Sequence, residues 1–279
     1  MKIKSRAKIN ISLGILGKLK NKLHRIESTF FFLNLHDDIY IKKINKKKHK
    51  IIFFGKFSRG IGKTNSISNL LKLLEKKNKL SGQKYLIKVN KKIPQKSGMG
   101  GGSMNASSLL KYFIKNLKLK ISPNEMLEIT SEIGADVIIG IQNNNSILFG
   151  DGKIIKIHKK VKFYTLLVKP DFGCSTRDIY SEVKSFSKPI LKKKRIKNLN
   201  NQFFSNLRND LEEPAFKKYP VLKKLKIYME KLNKILFVRM TGSGSTMIGY
   251  FNSKKAALNA TKILSKKYKK YWCILSKTI

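Results

Sequence analysis

The residues Pro94 to Leu110, read as PQKSGMGGGSMNASSLL, decide how the rest of the chain is interpreted. They contain four glycines within five residues, then small polar residues, then an apolar pattern of helical spacing. An alternating polar and apolar run, Lys84 to Val89, precedes them, so the order is strand, glycine loop, helix. Glycines allow backbone N–H groups to approach an anion, and a helix N-terminus adds unpaired donors and a positive dipole end. The stretch therefore predicts a phosphate-binding loop.

Two common phosphate-binding motifs do not fit this loop. A Walker A loop ends in Gly-Lys-Ser/Thr, which is missing here, and the nearby Gly62-Lys63-Thr64 has Phe57 where that motif needs its first glycine. A Rossmann loop is followed by an acidic residue after a second strand, and that residue is also missing. An ordinary tight turn before a structural helix stays open, although so many glycines cost backbone entropy.

Length and composition restrict the class of protein. The 279 residues are 41% hydrophobic, which suffices for one large domain or two moderate ones with packed cores. No run of 18 apolar residues and no signal peptide is recognised, and the two cysteines do not form a disulfide framework. We therefore expect a cytoplasmic protein without a membrane partner.

The chain is strongly basic, with 61 Lys+Arg against 16 Asp+Glu and a net charge of +45. Such an excess favours acidic partners such as nucleic acid or phosphorylated metabolites. The lysines are spread over the whole chain, as AT-rich codons would produce, and a lysine-rich loop is predicted over 184–200. We expect no specific nucleic-acid partner, although non-specific binding at low salt follows from the charge alone.

Three further segments carry candidate site residues. A predicted strand over residues 2–16 places Lys8 and Asn10 on one face, which on its own favours a half-exposed edge strand. Asp136 follows a predicted helix, 123–133, and precedes an apolar run expected to form a strand, which makes it the best-placed acid for a general base. The segment from Thr241 to Thr246 is either a hairpin turn or a second loop that contacts substrate.

Five motifs, taken in order, resemble the GHMP kinase superfamily. They are A-K-I-N from Ala7, G-M-G-G-G-S-M-N-A from Gly98, G-A-D-V from Gly134, N-D-L-E from Asn209 and M-T-G-S-G from Met240. Each motif is weak alone, but the ordered set is specific and extends over nearly the whole chain. The resemblance implies a two-domain α+β fold, with a ribosomal-protein S5-like N-terminal half that binds ATP, 1–158, and a ferredoxin-like C-terminal half, 159–279.

The resemblance also implies an activity. The expected enzyme is an ATP-dependent small-molecule kinase that uses Mg2+ and acts as a monomer or homodimer. Its expected acceptor is the 2-hydroxyl of a cytidine diphosphate-linked substrate, 4-diphosphocytidyl-2-C-methyl-D-erythritol, in the non-mevalonate route to isoprenoid precursors.

Residue roles follow from the same resemblance. Asp136 would accept the substrate hydroxyl proton, while Lys8 would keep that carboxylate ionised and stabilise charge on the transferring phosphoryl group. The implied ATP-binding residues are Pro94, Gly98, Gly100, Gly101, Gly102, Ser103 and Asn105. The implied substrate-binding residues are Asn10, His24, Thr176, Tyr180, Gly242, Ser243 and Gly244. Within the second set, His24 would contact the cytosine end and Tyr180 would offer a stacking face.

Two alternatives stay open. Leu23 stands where the family usually has an aromatic residue that stacks on cytosine, so a GHMP kinase acting on homoserine or mevalonate is one of them. The other is a basic nucleic-acid-binding protein with an S5-like domain, which the paired glycine loops and Asp136 disfavour because such a binder needs neither.

Overall fold

A computed structural model describes residues 1–19, 23–158, 161–191 and 199–279 of the chain. The lysine-rich loop predicted over 184–200 lies partly outside these residues, as does the first residue of the predicted C-terminal half. The described chain forms two compact units, each assembled from separate segments. Unit 1 consists of Met1–Lys8, Leu35–Gln95 and Gly100–Asn143, and unit 2 of Ile9–Asn34, Lys96–Met99 and Asn144–Ile279. The predicted domain boundary at 158/159 stays a prediction.

Two long strands contribute to both units. They are β1 (Lys2–Lys18) and β2 (His24–Ile44), which pair with each other. Because the unit boundary falls between Lys8 and Ile9, β1 carries one predicted catalytic residue in unit 1 and Asn10 in unit 2.

Unit 1 combines short strands with four helices. Its further elements are β3 (Lys50–Phe54), α1 (Ser66–Lys76), β4 (Lys84–Asn90), α2 (Gly101–Asn116), α3 (Pro123–Ile133) and α4 (Val137–Gln142). Strand β4 lies between β3, to which it is parallel, and the C-terminal part of β2, to which it is antiparallel. Alternate residues of β4 (Tyr85, Ile87 and Val89) are buried in a core with apolar side chains of α1 and α2. The predicted strand, glycine loop and helix are thereby confirmed.

Capping residues explain where two of these helices begin. Asn65 accepts from the N–H groups of Ile67 and Ser68 at the start of α1, and the Ser68 hydroxyl accepts from the Asn65 N–H, which completes a capping box. Ser122 accepts from the N–H of Glu125 at the start of α3. Helix α2 differs, because its N-cap is Gly100 and no side chain caps it.

The prediction of a strand after Asp136 was wrong. Val137 to Gln142 form α4, so Asp136 lies between two helices. The β-branched run Val137-Ile138-Ile139 favours a strand by propensity, but tertiary packing overrides it. A Cβ at Gly140 would lie 2.3 Å from the Ser107 hydroxyl oxygen, and that hydroxyl donates to the Val137 carbonyl at 2.7 Å. Close packing on α2 therefore stabilises the helix.

Unit 2 contains the remaining elements. They are β5 (Ser146–Leu148), β6 (Ile154–Lys156), β7 (Tyr164–Lys169), α5 (Thr176–Ser181), α6 (Asn201–Ser205), α7 (Glu212–Lys218), α8 (Pro220–Glu230), β8 (Phe237–Met240), β9 (Met247–Phe251), α9 (Lys254–Lys267) and β10 (Trp272–Lys277). The last four strands form an antiparallel sheet of order β10-β7-β9-β8, and β5 joins the N-terminal part of β2 to β6. Helices and mixed sheets together confirm the predicted α+β class. Within the described chain, none of the helices has the length and apolarity needed to span a membrane.

Candidate active site

An ion pair in unit 1 joins the two predicted catalytic residues. The ammonium of Lys8 lies 2.9 Å from an Asp136 carboxylate oxygen; the Lys8 side chain is 5% exposed and that of Asp136 35%. Asp136 is the N-cap of α4, yet its carboxylate makes no capping hydrogen bond. The acid is therefore directed to the lysine and remains partly exposed to solvent.

Gly100 brings the backbone of the glycine loop against this ion pair. Its φ of +65° lies in the left-handed region, and a Cβ there would come within 3.0 Å of Lys8 Cε and 3.6 Å of an Asp136 carboxylate oxygen. A side chain at this position would therefore be strained and would displace the lysine. The loop and the ion pair form one group of residues in unit 1.

The first turn of α2 offers backbone donors beside that group. It contains Gly101, Gly102 and Ser103, with no acidic residue and no capping side chain. N–H groups in the first turn of a helix have no intrahelical acceptor, and the N-cap glycine supplies no side chain to them, which suits an anion such as a phosphate. In the same helix, Asn105 is buried and its amide oxygen has no hydrogen-bond partner among the described residues. Pro94 is buried in the loop that leads to this turn.

A second group of residues lies in unit 2, where Thr241 joins two of the predicted motifs. The Asn10 N–H donates to the Thr241 hydroxyl at 2.9 Å, and that hydroxyl donates to the Gly98 carbonyl at 3.2 Å. The Asn10 amide donates to the Ser28 hydroxyl at 2.9 Å. The N-terminal strand and the two glycine-rich loops are thus hydrogen-bonded together through buried polar groups.

Buried polar residues hold the second glycine-rich loop in place. The Asn209 amide donates to the carbonyls of Met240 and Gly242, each at 2.8 Å, and Glu212 accepts from the Met240 N–H at 2.7 Å. On the other side of the loop, the hydroxyls of Ser243 and Thr176 lie 2.9 Å apart. Gly242 and Ser243 are therefore fixed from both sides, while Gly244 packs against Met240 and Cys174.

His24 and Tyr180 form an aromatic pair in unit 2. Their ring centroids are 5.1 Å apart and tilted by 44°. The His24 Nε2 atom is buried and has no hydrogen-bond partner within the described ranges. Burial, and next the positive charge of Lys18, lower the pKa of His24 from its ordinary value. The His24 imidazole therefore favours its neutral form where it packs against the Tyr180 ring.

The predicted site residues thus fall into two groups, one in each unit. The structure brings Lys8, Asp136 and Gly100 together in unit 1, and Asn10, Gly98 and Gly242 in unit 2. Their roles stay predictions.

Sequence reasoning missed Thr241 and Asn209 as residues that position loops. Both residues lie in motifs quoted from the sequence. Thr241 comes just before the second glycine-rich loop, and Asn209 comes just before Asp210 and Glu212, so these positions were the available signal. Among the residues that the structure describes, no group of three or more His, Cys, Asp or Glu side chains could hold a metal ion.

Comparison with known proteins gives the class of the chain. The family described as GHMP kinases N terminal domain matches residues 65–151, and GHMP kinases C terminal matches residues 187–270. The chain accordingly has the N-terminal and C-terminal domains of a GHMP kinase.

Proteins of similar sequence and structure identify a narrower family within this class. A 4-diphosphocytidyl-2-C-methyl-D-erythritol kinase of Pelagibacter ubique is 52% identical over 278 residues, covering 100% of this chain and 99% of the relative. A kinase of the same name from Thermoanaerobacter pseudethanolicus is 30% identical over 285 residues, covering 100% and 96%. A crystal structure of 4-(cytidine 5'-diphospho)-2C-methyl-D-erythritol kinase superimposes with a TM-score of 0.81 at 22% identity, covering 100% of both chains. The chain belongs to the 4-diphosphocytidyl-2-C-methyl-D-erythritol kinase family, which confirms the predicted family, its fold and the kinase class.

Proposed function

We propose that this chain transfers the γ-phosphoryl group of ATP to the 2-hydroxyl of 4-diphosphocytidyl-2-C-methyl-D-erythritol, in the synthesis of isoprenoid precursors by the non-mevalonate route. The observation that carries the proposal is the Lys8–Asp136 ion pair against the backbone of Gly100. It occurs in a chain that shares 52% identity over its whole length with a kinase of that name. Homoserine and mevalonate are the alternative acceptors, and the full-length relatives disfavour them.

The geometry of unit 1 supports the proposed catalytic roles. Asp136 is partly exposed and accepts the proton of the acceptor hydroxyl as the new P–O bond forms. Lys8 is nearly buried, so its charge acts through a poorly solvated environment on the carboxylate and on the phosphoryl oxygens. Phosphoryl transfer depends mainly on positioning and electrostatic stabilisation, which this arrangement supplies.

The ATP phosphates are proposed to lie against the glycine loop, with Gly98, Gly100, Gly101, Gly102 and Ser103 offering backbone donors. Pro94 and Asn105 would support the nucleotide from either end of this loop. Mg2+ would accompany ATP and neutralise charge on its phosphates; it binds mainly phosphate oxygens and water and needs few protein ligands.

Acceptor binding is assigned to the residues grouped in unit 2. His24 would contact the cytosine end of the acceptor, and the Tyr180 ring would stack on the base. Asn10, Thr176 and the Gly242–Ser243–Gly244 loop would bind the remaining polar groups of the acceptor. Leu23 is 60% exposed and would supply an apolar contact in place of an aromatic ring.

The setting of the enzyme is also proposed. We place it in the cytoplasm as a monomer or homodimer, without a specific nucleic-acid partner, and with domains 1–158 and 159–279. The two family matches fall on either side of that boundary, which supports it.

An acceptor panel tests the function. ADP release from Mg-ATP is measured with 4-diphosphocytidyl-2-C-methyl-D-erythritol, homoserine and mevalonate in separate reactions. Turnover with the cytidyl acceptor alone is expected. Turnover with homoserine or mevalonate alone would overturn the acceptor assignment, and no turnover in protein shown to be folded would overturn the kinase proposal.

A further inference from the structure

Asp37, in β2, is completely buried, although it is one of only 16 acidic residues in a chain of net charge +45. One carboxylate oxygen accepts from the N–H groups of Lys92 at 2.7 Å and Ile93 at 2.9 Å. The other is ion-paired with the ammonium of Lys91, which is itself 4% exposed. Burying a charged pair is costly unless its hydrogen bonds are well formed, so these contacts have strong geometric requirements.

The residues that Asp37 holds lead into the glycine loop and contact the start of α2. Residues 91–93 follow the last residue of β4 and come immediately before Pro94. A Cβ at Gly101 would lie 3.1 Å from the Ile93 side chain and 3.4 Å from the Lys91 ammonium nitrogen. Ile93 thus packs against the first residue of α2, and the Lys91 charge lies beside its backbone.

We propose that Asp37 is a positioning residue for nucleotide binding. Through Ile93 it fixes the start of α2, and through Lys91 it holds a buried cation beside the backbone donors that face the phosphates. The carboxylate itself is completely buried and would therefore not contact the substrate. This inference rests on the proposed function only in requiring that the chain binds Mg-ATP; it does not depend on the acceptor.

The test compares Asp37→Asn with Asp38→Asn, a matched substitution at the next residue. Asp38 pairs with Lys92 at 2.8 Å, with Lys2 at 3.4 Å and with His36 at 3.5 Å, and none of these side chains is among the atoms nearest a Cβ at Gly101. Mg-ATP binding is measured by calorimetry, and kcat and both KM values by ADP release. For Asp37→Asn we expect the Kd and KM for ATP to rise at least tenfold, with kcat and the acceptor KM changed less than threefold. For Asp38→Asn all values should stay within twofold.

A second variant separates positioning from simple destabilisation. Asp37→Asn alone leaves the Lys91 charge buried and unpaired, whereas Asp37→Asn/Lys91→Met removes both charges and restores an uncharged interior. We expect the double variant to regain most of the wild-type Tm while its Kd for ATP stays raised at least tenfold.

Two outcomes would overturn the inference: wild-type affinity for ATP in Asp37→Asn, or wild-type affinity in the double variant. Failure of the proposed function would instead appear in the unmodified protein, as absence of Mg-ATP binding or turnover with another acceptor. Turnover with another acceptor together with a raised Kd in Asp37→Asn would still support the positioning role.

Discussion

The ammonium of Lys8 lies 2.9 Å from a carboxylate oxygen of Asp136, and a Cβ at Gly100 would be in contact with both side chains. An ion pair with a partner that is 35% exposed contributes little to stability, about 0–1 kcal/mol. Its close fit against a glycine with a left-handed backbone therefore has a better explanation in catalysis than in folding. Substitutions at Lys8, Asp136 and Gly100 can therefore be distinguished by their separate effects on the catalytic rate and on the free energy of unfolding.

Gly100→Ala is expected to impair catalysis beyond its effect on stability. The new Cβ would push the Lys8 side chain away, and a shift of about 1 Å in a catalytic group costs about 100-fold in rate. Gly82→Ala is the matched control, since Gly82 also has a left-handed φ, +71°, but a Cβ there would meet nothing within 4 Å. Both variants should lose about 1–2 kcal/mol of stability in denaturant unfolding. A similar kcat in the two variants would contradict the role of Gly100.

Asn209→Ala is expected to loosen the Gly242 loop. The substitution leaves the buried carbonyls of Met240 and Gly242 without their donor, which costs about 1–3 kcal/mol. Because this loop is proposed to bind the acceptor, the KM for the acceptor should rise while the KM for ATP changes little. Asn201→Ala is the control, since the Asn201 side chain donates to Asn252 at the surface. Equal increases in both KM values for Asn209→Ala would argue against a loop specific to the acceptor.

His24 is expected to be neutral when it binds the acceptor. Burial, and then the charge of Lys18, lower the pKa of His24 below its ordinary value of 6.5. The folded state therefore binds fewer protons than the unfolded state, and the stability contribution of His24 is present above the unfolded pKa and lost as pH falls through the folded pKa. The acceptor KM should accordingly be flat above pH about 7 and rise at acidic pH.

Proton NMR titration of the His24 ring checks this prediction. We expect a midpoint below 6.5, and a midpoint above that value would contradict it. In His24→Gln the increase in the acceptor KM at acidic pH should disappear, whereas the KM for ATP should be unaffected.

The net charge predicts an ionic-strength effect. A chain of net charge +45 attracts ATP and a diphosphate-linked acceptor from a distance, and salt screens that attraction. We expect kcat/KM for both substrates to fall between low salt and about 0.5 M NaCl, with kcat nearly constant. If kcat/KM does not change with salt, the lysine excess has no role in substrate capture.

Local sequence signals predicted the strand, the glycine loop and the helix that follows it well. Four closely spaced glycines between an alternating run and an apolar helical pattern correspond to the observed β4, loop and α2. Glycine and capping preferences are properties of short segments, so they can be read without knowledge of the fold. The same reasoning failed at Val137, where packing of Gly140 on Ser107 overrides the strand propensity of a β-branched run.

The assembly of the candidate site could not be derived from local patterns. Lys8 and Asp136 lie far apart in the chain, and only the resemblance to a family suggested that they act together. The roles of Thr241, Asn209 and Asp37 depend on hydrogen bonds to loops distant in sequence, so a short-range pattern contains no information about them. Burial of Asp37 in particular is a tertiary property that the strand alternation alone does not predict.

Steady-state ADP release by Asp136→Asn shows whether Asp136 is the general base. We predict that kcat falls by about 10²–10⁴, as expected for loss of a general base, while the Kd for ATP and the Tm stay close to those of the unmodified protein. Glu132→Gln, a matched loss of a carboxylate on the exposed side of α3, should keep full activity. A kcat for Asp136→Asn within threefold of the unmodified value would contradict the assignment of Asp136 as the base.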